Sequence, residues 1–182
     1  MSKKREKKIM CGIFGVLSDE PVVNKIIRGL HKLEYRGYDS SGVSVVVDQK
    51  IETIRAQGKL INLKKKLSNK KIEGTLGIGH TRWATHGIPS TKNAHPHNST
   101  NVSIVHNGII ENYSELKKDL LKKGYVFKSE TDSEVIAHLI DLNLKNSAPE
   151  QALKKTLSCL EGAFAIAMLF KDKNFLVGAR KG

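Results

Sequence analysis

Residues 42–57, GVSVVVDQKIETIRAQ, contain two short runs that favour β-strands. The runs, residues 42–47 and 51–57, are rich in β-branched side chains, and the polar break Asp48-Gln49-Lys50 separates them. A break this short between two such runs is typical of a hairpin. The stretch therefore predicts a pair of antiparallel strands.

Further strands and helices are predicted on both sides of this hairpin. Apolar runs predict strands over residues 11–17, 75–82, 102–110, 163–170 and 175–179. Apolar residues at three- and four-residue spacing predict helices over residues 22–33 and 134–144. Ser114 as a cap and Gly124 as a terminator predict a helix over residues 114–123, and Pro149 opens one over 149–160. The polar segment over residues 93–100 predicts a loop. Strands, then helices, then strands again predict an α+β fold with antiparallel sheets, in one domain over residues 11–182.

The composition limits the partners of the chain. Lys and Arg number 31 against 18 Asp and Glu, a net charge of +13, but 25 of the 31 are Lys and only 5% of residues are aromatic. Proteins usually bind nucleic acids through the guanidinium groups of Arg and through aromatic side chains that stack on bases, and both are scarce here. We therefore interpret the charge as a solvated lysine-rich surface and predict no nucleic-acid partner. Residues 1–10, MSKKREKKIM, predict a flexible basic extension.

The sequence also predicts a compartment. No apolar run approaches the roughly 18 residues of a membrane span, and no apolar signal-peptide core follows the basic start. Two cysteines, Cys11 and Cys159, are too few for a disulfide framework and fit a reducing environment. We expect a cytoplasmic protein without a membrane partner.

Cys11 is a candidate nucleophile. A thiol reacts as its thiolate, so it needs a base, and the α-amino group of Cys11 itself would serve if the chain were cut after Met10. A lone cysteine in an apolar run is more often a small buried hydrophobic residue. The residue alone leaves both interpretations open.

The segment GHTRWATHG, residues 79–87, indicates a site for a carboxylate ligand. A strand ends there in polar and aromatic side chains: Arg82, Trp83, Thr85 and His86. A guanidinium fork matches the two oxygens of a carboxylate, and hydroxyl and imidazole groups can add hydrogen bonds. The segment is therefore a candidate binding site.

Two other short motifs allow both a functional and a purely structural interpretation. Asn107-Gly108 could bind a developing oxyanion through a side-chain amide and a backbone N–H, or could be an ordinary turn. Asp132 could present a carboxylate to an ammonium group, or could cap a helix. Histidines are numerous, but the sequence contains neither HExxH nor a zinc-finger spacing, so we predict no metal site.

Taken together, six motifs resemble the glutaminase domain of glucosamine-6-phosphate synthase, a family of class II, N-terminal-nucleophile glutamine amidotransferases also called isomerising glutamine–fructose-6-phosphate aminotransferases. In order, the motifs are CGIFGVL (11–17), LEYRGYDSSG (33–42), GHTRWATHG (79–87), NAHPH (93–97), VHNGIIENY (105–113) and ETDSEVIAHLI (130–140).

The resemblance implies a four-layer α/β/β/α sandwich of two antiparallel sheets and the release of ammonia from glutamine without a cofactor. It implies that Cys11 is the nucleophile and that Asn107 and Gly108 form the oxyanion hole. Arg82 would hold the α-carboxylate of glutamine and Asp132 its α-ammonium. The implied accessory residues are Trp83, Thr85 and His86 in the pocket and Arg36 as a supporting residue.

The resemblance also implies how the chain relates to the family enzyme. Residues 11–182 correspond to a C-terminally incomplete glutaminase type-2 domain, and the sugar-isomerase module that binds fructose 6-phosphate is not represented. Homo-oligomerisation is a further expectation. A catalytically inactive fragment or binding module with the same fold is the alternative.

Overall fold

The computed structural model describes residues 11–84 and 86–182, so the predicted extension over residues 1–10 lies outside the described residues. Its strands are β1 (Gly12–Leu17), β2 (Ser40–Val47), β3 (Lys50–Gln57), β4 (Leu76–Arg82), β5 (His97–Asn98), β6 (Val102–Gly108), β7 (Phe164–Phe170) and β8 (Leu176–Lys181). Its α-helices are α1 (Val23–Leu33), α2 (Leu60–Ser68), α3 (Tyr113–Lys122), α4 (Glu134–Leu144) and α5 (Pro149–Cys159), and a 3₁₀ turn spans Glu34–Arg36.

The strands form two four-stranded antiparallel sheets. The first has the order β1-β4-β2-β3 and the second the order β5-β6-β7-β8. Helices α1 and α2 cover the outer face of the first sheet, and α3, α4 and α5 cover that of the second. This arrangement confirms the α+β, four-layer sandwich expected from the sequence.

Alternation along β4 and β6 places different side chains in different layers, because successive strand residues point to opposite faces. In β4, Leu76 and Ile78 belong to the apolar cluster between the sheets. His80 and Arg82 continue the same face toward the end of the strand. In β6, Val105 lies in this cluster, which places Asn107 on the face toward the first sheet.

Glycines on the other face of β4 let α1 pack closely on the strand. A Cβ at Gly77 would lie 2.6 Å from Ile26 Cδ1, and one at Gly79 would overlap Ile26 Cγ2. Ile26 and Leu30 are fully buried in this interface, and each such side chain contributes roughly 1.5–3 kcal/mol of burial energy. The small residues thus fix the position of the strand that ends at Arg82.

Three local features differ from the sequence-based prediction. The hairpin turn has only two residues, Asp48 and Gln49, both with positive φ as in a type I′ turn, and Lys50 already belongs to β3. Helix α2 was not predicted. The short strand β5 lies inside a segment that its polar sequence predicts to be a loop.

The helix predicted over residues 134–144 has these bounds in the structure, but the side-chain caps predicted at Ser114 and Asp132 are wrong. The third helix begins at Tyr113, and neither it nor α4 has a side-chain cap hydrogen bond at its N-terminus. The Asp132 carboxylate instead accepts a hydrogen bond from a loop, as described below. Of the described helices, none is both long enough and apolar enough to serve as a membrane-spanning segment.

Candidate active site

Cys11 lies immediately before β1 and is held against the end of β4. Its Sγ accepts a hydrogen bond from the backbone N–H of Trp83 at 3.1 Å and lies 3.5 Å from the Trp83 carbonyl oxygen. These contacts follow from the antiparallel register, in which Gly12 pairs with Thr81. The pairing brings the thiol beside the residues that follow Arg82.

The thiol is protonated at neutral pH. Burial raises the pKa of Cys11 above its ordinary value of 9.0, while the Trp83 N–H and the positive charge of Arg82 oppose that shift only in part. A thiol in this state is a poor nucleophile. The site therefore needs a base that accepts the thiol proton as the sulfur reacts.

Asn107 and Gly108 end strand β6 opposite the cysteine. The Nδ2 of Asn107 donates to the Cys11 carbonyl oxygen at 3.1 Å, and its Oδ1 lies 2.8 Å from His80 Nε2. Gly108 has a φ of +123°, and a Cβ there would overlap the Ala163 carbonyl oxygen. Only glycine can take this backbone path without strain.

Arg82 provides the positive charge of the site. Its Nη2 donates to the carbonyl oxygens of His86 and, at 3.3 Å, Gly87, while its Nη1 lies 3.8 Å from Asp39 Oδ1. Within the described part of the chain, the buried Nη1 has no hydrogen-bond partner. Burial lowers the pKa of the guanidinium and Asp39 opposes this, but an arginine keeps its charge in proteins.

Asp39 holds this arginine and the adjacent loop together. Its backbone N–H donates to the Arg82 carbonyl at 2.8 Å, and its carboxylate accepts the backbone N–H of Ala84. Asp39 thus fixes the segment from which both Arg82 and Trp83 project.

Asp132 provides the negative charge and is buried, with 3% exposure. Its Oδ2 accepts the backbone N–H of Ile110 at 2.8 Å, whereas Oδ1 accepts the Ser133 hydroxyl at a longer distance of 3.4 Å. A carboxylate oxygen accepts more than one hydrogen bond, so Oδ1 can receive a further donor. Ser133 is held in turn by a 2.8 Å hydrogen bond with His106 Nδ1.

These groups surround one cavity of about 270 Å³. Its lining residues are Cys11, Arg82, Trp83, His86, His95, His106, Asn107, Gly108, Ile109, Thr131, Asp132 and Ser133. Opposite charges, a thiol and an amide donor therefore share one space of the size of a small polar molecule.

The cavity lining brings together seven of the predicted site residues: Cys11, Arg82, Trp83, His86, Asn107, Gly108 and Asp132. Trp83 is 42% exposed at the rim, and the His86 ring packs edge-on against Tyr113 at 5.6 Å between centroids. Thr85 lies outside the described residues. Of Arg36 only the backbone is described, at the end of the 3₁₀ turn.

Sequence reasoning missed several lining residues: His95, His106, Ile109, Thr131 and Ser133. Most flank a predicted residue directly along the chain, so their closeness in sequence to Asn107 and Asp132 was an available signal. His95 is the exception, because it enters the cavity from the loop before β5. Gly42 permits this, since a Cβ there would overlap the His95 carbonyl oxygen.

Four buried histidines lie in or beside the cavity. The His95 ring lies 4.2 Å from His80, 4.6 Å from His97 and 6.4 Å from His106 between centroids. Burial lowers the pKa of His80 and His97 to about 3 and that of His106 to about 4. Among the described residues, no group of three or more His, Cys, Asp or Glu side chains is arranged to hold a metal ion.

Comparison with known proteins identifies similar sequences. Residues 80–182 match a family model described as a glutamine amidotransferase domain. Glutamine–fructose-6-phosphate aminotransferases (isomerizing) are similar over 175 residues, with 52% identity in Mesorhizobium japonicum and 53% in Caulobacter vibrioides. The match covers 95% of this chain but only 29% of either relative, so the chain spans less than a third of their length.

Solved structures of similar fold include a glutamine phosphoribosylpyrophosphate amidotransferase from Bacillus subtilis in complex with ADP and GMP. It has a TM-score of 0.72 and 30% identity, over 87% of this chain and 35% of that one. A glutamine aminotransferase class-II domain protein from Silicibacter pomeroyi has a TM-score of 0.64 over 94% of this chain and 76% of its own. At 15% identity, the latter indicates a shared fold alone.

Proposed function

Since the chain belongs to the family of glutamine amidotransferase domains, we propose that its cavity binds glutamine and that Cys11 attacks the side-chain amide. The observation that supports this most directly is the placement of buried, oppositely charged Arg82 and Asp132 in one cavity with the thiol. An amino acid carries a carboxylate and an ammonium on one carbon, so a cationic and an anionic side chain in the same cavity can bind these two groups. A simple amide lacks both charges and is therefore excluded.

The proposed reaction begins with attack of Cys11 Sγ on the carbonyl carbon of the glutamine side-chain amide, Cδ. The carbonyl oxygen becomes an oxyanion, for which Asn107 Nδ2 and the Gly108 N–H supply hydrogen bonds. The amide nitrogen then takes up a proton and leaves as ammonia, with a thioester left on the cysteine. Water hydrolyses the thioester, which releases glutamate and restores the thiol.

The base in this proposal is the α-amino group of Cys11. Its ordinary pKa of about 7.7–8.0 lets it accept the thiol proton near neutral pH and return it to the leaving nitrogen. The nitrogen of a peptide bond cannot do this. Activity should therefore require a chain that begins at Cys11, produced by removal of residues 1–10 or by translation from Met10 followed by methionine removal.

Two preparations of defined mass test this proposal, one beginning at Met1 and one at Cys11. We expect glutamate release from the second only, abolition of that release by Cys11→Ser, and no loss of it with Cys159→Ser, which alters an exposed cysteine outside the cavity. Without turnover in the chain beginning at Cys11, a binding module with the same fold becomes the better explanation. Equal turnover in a preparation verified to retain residues 1–10 would instead make His86 or another histidine the favoured base.

We further propose that the ammonia serves the amination of fructose 6-phosphate, the reaction for which the similar full-length proteins are named. A sugar-isomerase module would bind that substrate, and the 175 matched residues cover only 29% of the relatives. This chain alone should form glutamate but no glucosamine 6-phosphate from glutamine and fructose 6-phosphate. Detection of the amino sugar with this chain as the sole protein would contradict the assignment.

A further inference from the structure

One hydrogen bond connects the two sheets directly behind the nucleophile. His80, in β4, and Asn107, in β6, lie on the faces that their sheets turn toward each other, and His80 Nε2 lies 2.8 Å from Asn107 Oδ1. Asn107 Nδ2 in turn donates to the Cys11 carbonyl oxygen at 3.1 Å. The three residues form a chain that ends at the cysteine.

This chain has only one consistent arrangement of hydrogens. A carbonyl oxygen accepts hydrogen bonds and cannot donate them, so the Asn107 atom facing the Cys11 carbonyl must be the amide nitrogen. The amide oxygen then faces His80. Because that oxygen also only accepts, the imidazole must carry its proton on Nε2.

The surroundings of His80 keep its ring in place. The side chain is fully buried, and the ring packs against that of His95 with 4.2 Å between centroids and an angle of 42°. Burial lowers the pKa of His80 to about 3, so the ring is neutral across the range in which the enzyme would operate. A neutral ring has one N–H, and the hydrogen-bond chain assigns it to Nε2.

We propose that His80 is a positioning residue that fixes the Asn107 side chain with its NH₂ group toward Cys11. The inference rests on the proposed function, in which this NH₂ stabilises the oxyanion. One amide hydrogen is used by the Cys11 carbonyl, and the other remains for the developing negative charge. Without the His80 donor, the Cys11 carbonyl alone orients the amide, which can then rotate away from the position in which its second hydrogen points toward the oxyanion.

The first test compares His80→Phe with His80→Gln in the chain beginning at Cys11. Phenylalanine keeps a ring but removes the donor, whereas the terminal amide of glutamine can place an N–H near the position of imidazole Nε2. Loss of one oxyanion donor typically lowers kcat by about 10²–10³-fold. We expect His80→Phe to lower kcat about a hundredfold with little change in KM, and His80→Gln to restore most of it.

A substrate analogue separates this role from simple binding. The γ-aldehyde of glutamate adds the Cys11 thiol to form a hemithioacetal, whose oxygen takes the place of the oxyanion. His80→Phe should weaken inhibition by the aldehyde about as much as it lowers kcat and leave inhibition by glutamate unchanged. An Asn107→Ala variant should lose the same affinity, with no further loss on addition of His80→Phe.

The control is His138→Phe, which removes another buried histidine with a side-chain hydrogen bond, 3.0 Å from the Ser99 hydroxyl, and which is not among the residues that line the cavity. It should retain wild-type kcat. If folded His80→Phe keeps wild-type kcat and aldehyde affinity, the proposal is wrong.

Imidazole ¹⁵N NMR of the wild-type protein gives an independent answer even if the variants fail to fold. A proton on His80 Nε2 supports the proposal, and a proton on Nδ1 overturns it. This readout needs no turnover, so it is separate from the test of glutamine hydrolysis.

Discussion

Acidification from pH 7 to pH 5 should remove most of the stability of this fold, because four buried histidines are neutral in the folded state. They are His80, His95, His97 and His106, and burial lowers the pKa of each below the ordinary value of 6.5. The unfolded chain binds a proton at each of these positions below pH 6.5, whereas the folded chain does not. Stability is therefore fully present above pH 6.5 and is lost as the pH falls toward the folded-state pKa values of about 3 to 4.

The expected loss depends on the unfolded-state pKa much more than on the folded one. A histidine with a pKa of 6.5 when unfolded, and one well below 5 when folded, contributes about 2 kcal/mol less at pH 5 than at pH 7. The three groups His80, His97 and His106 give about 6 kcal/mol, and the lowered pKa of buried His95 adds to this loss. The sum is comparable to the total stability of roughly 5–15 kcal/mol typical of a domain. The midpoint of acid unfolding should thus lie near pH 5.

Urea titrations followed by circular dichroism at half-unit steps from pH 7 to pH 5 measure this loss. His97→Gln provides an internal check, since it removes one titrating group and its amide can keep the contact with the Thr131 hydroxyl, 3.1 Å from Nε2 in the native protein. That variant should lose about 2 kcal/mol less than the wild type over the same range. A free energy of unfolding that changes by less than about 2 kcal/mol in the wild type would refute the reasoning.

Three further predictions concern the site. Arg82→Met should raise the KM for glutamine about a hundredfold, because it removes the buried positive partner of the substrate carboxylate. The melting transition of the variant should stay cooperative, and an unchanged KM in steady-state assays would contradict the assignment. Gly108→Ala should destabilise the fold by about 2–4 kcal/mol in urea titrations, since its φ is +123° and its new Cβ would overlap the Ala163 carbonyl; a neutral effect would mean that this backbone path is not needed. Trp83 is the sole tryptophan and lies at the cavity rim, so its fluorescence in a Cys11→Ser variant should change saturably with glutamine; no change at saturating ligand would place binding elsewhere.

Much of the fold could be predicted from periodicity. The alternation that buries Val43 and Val45 against the helices also predicts their strand, and the apolar spacing of α1 predicts that helix. Helix α2 was harder to detect, because it is nine residues long and buries only three leucines between lysines. Strand β5 has two residues, too few to show any period, and it forms because β6 offers a partner.

The sequence predicts the individual motifs of the site but not how their side chains are arranged in space. Arg82 and Asn107 each lie at the end of an apolar strand, so their chemistry was evident from the local sequence. The contact between His80 and Asn107 was not evident from the local sequence, because it depends on how the two sheets pack. His95 depends on the path of a loop, which local sequence does not determine.

The hydrogen bond from Asn107 to the Cys11 carbonyl joins residues 96 positions apart, and the thiol contact with Trp83 spans 72 positions. Contacts of such long range form late in folding, because the entropy of closing the intervening chain is lost before they can stabilise anything. A chain emerging from the ribosome has the cysteine first, yet it lacks the amide donor until nearly 100 further residues have followed. The nucleophile thus stays idle until the second sheet docks on the first, so that its reactivity marks the assembly of the two sheets.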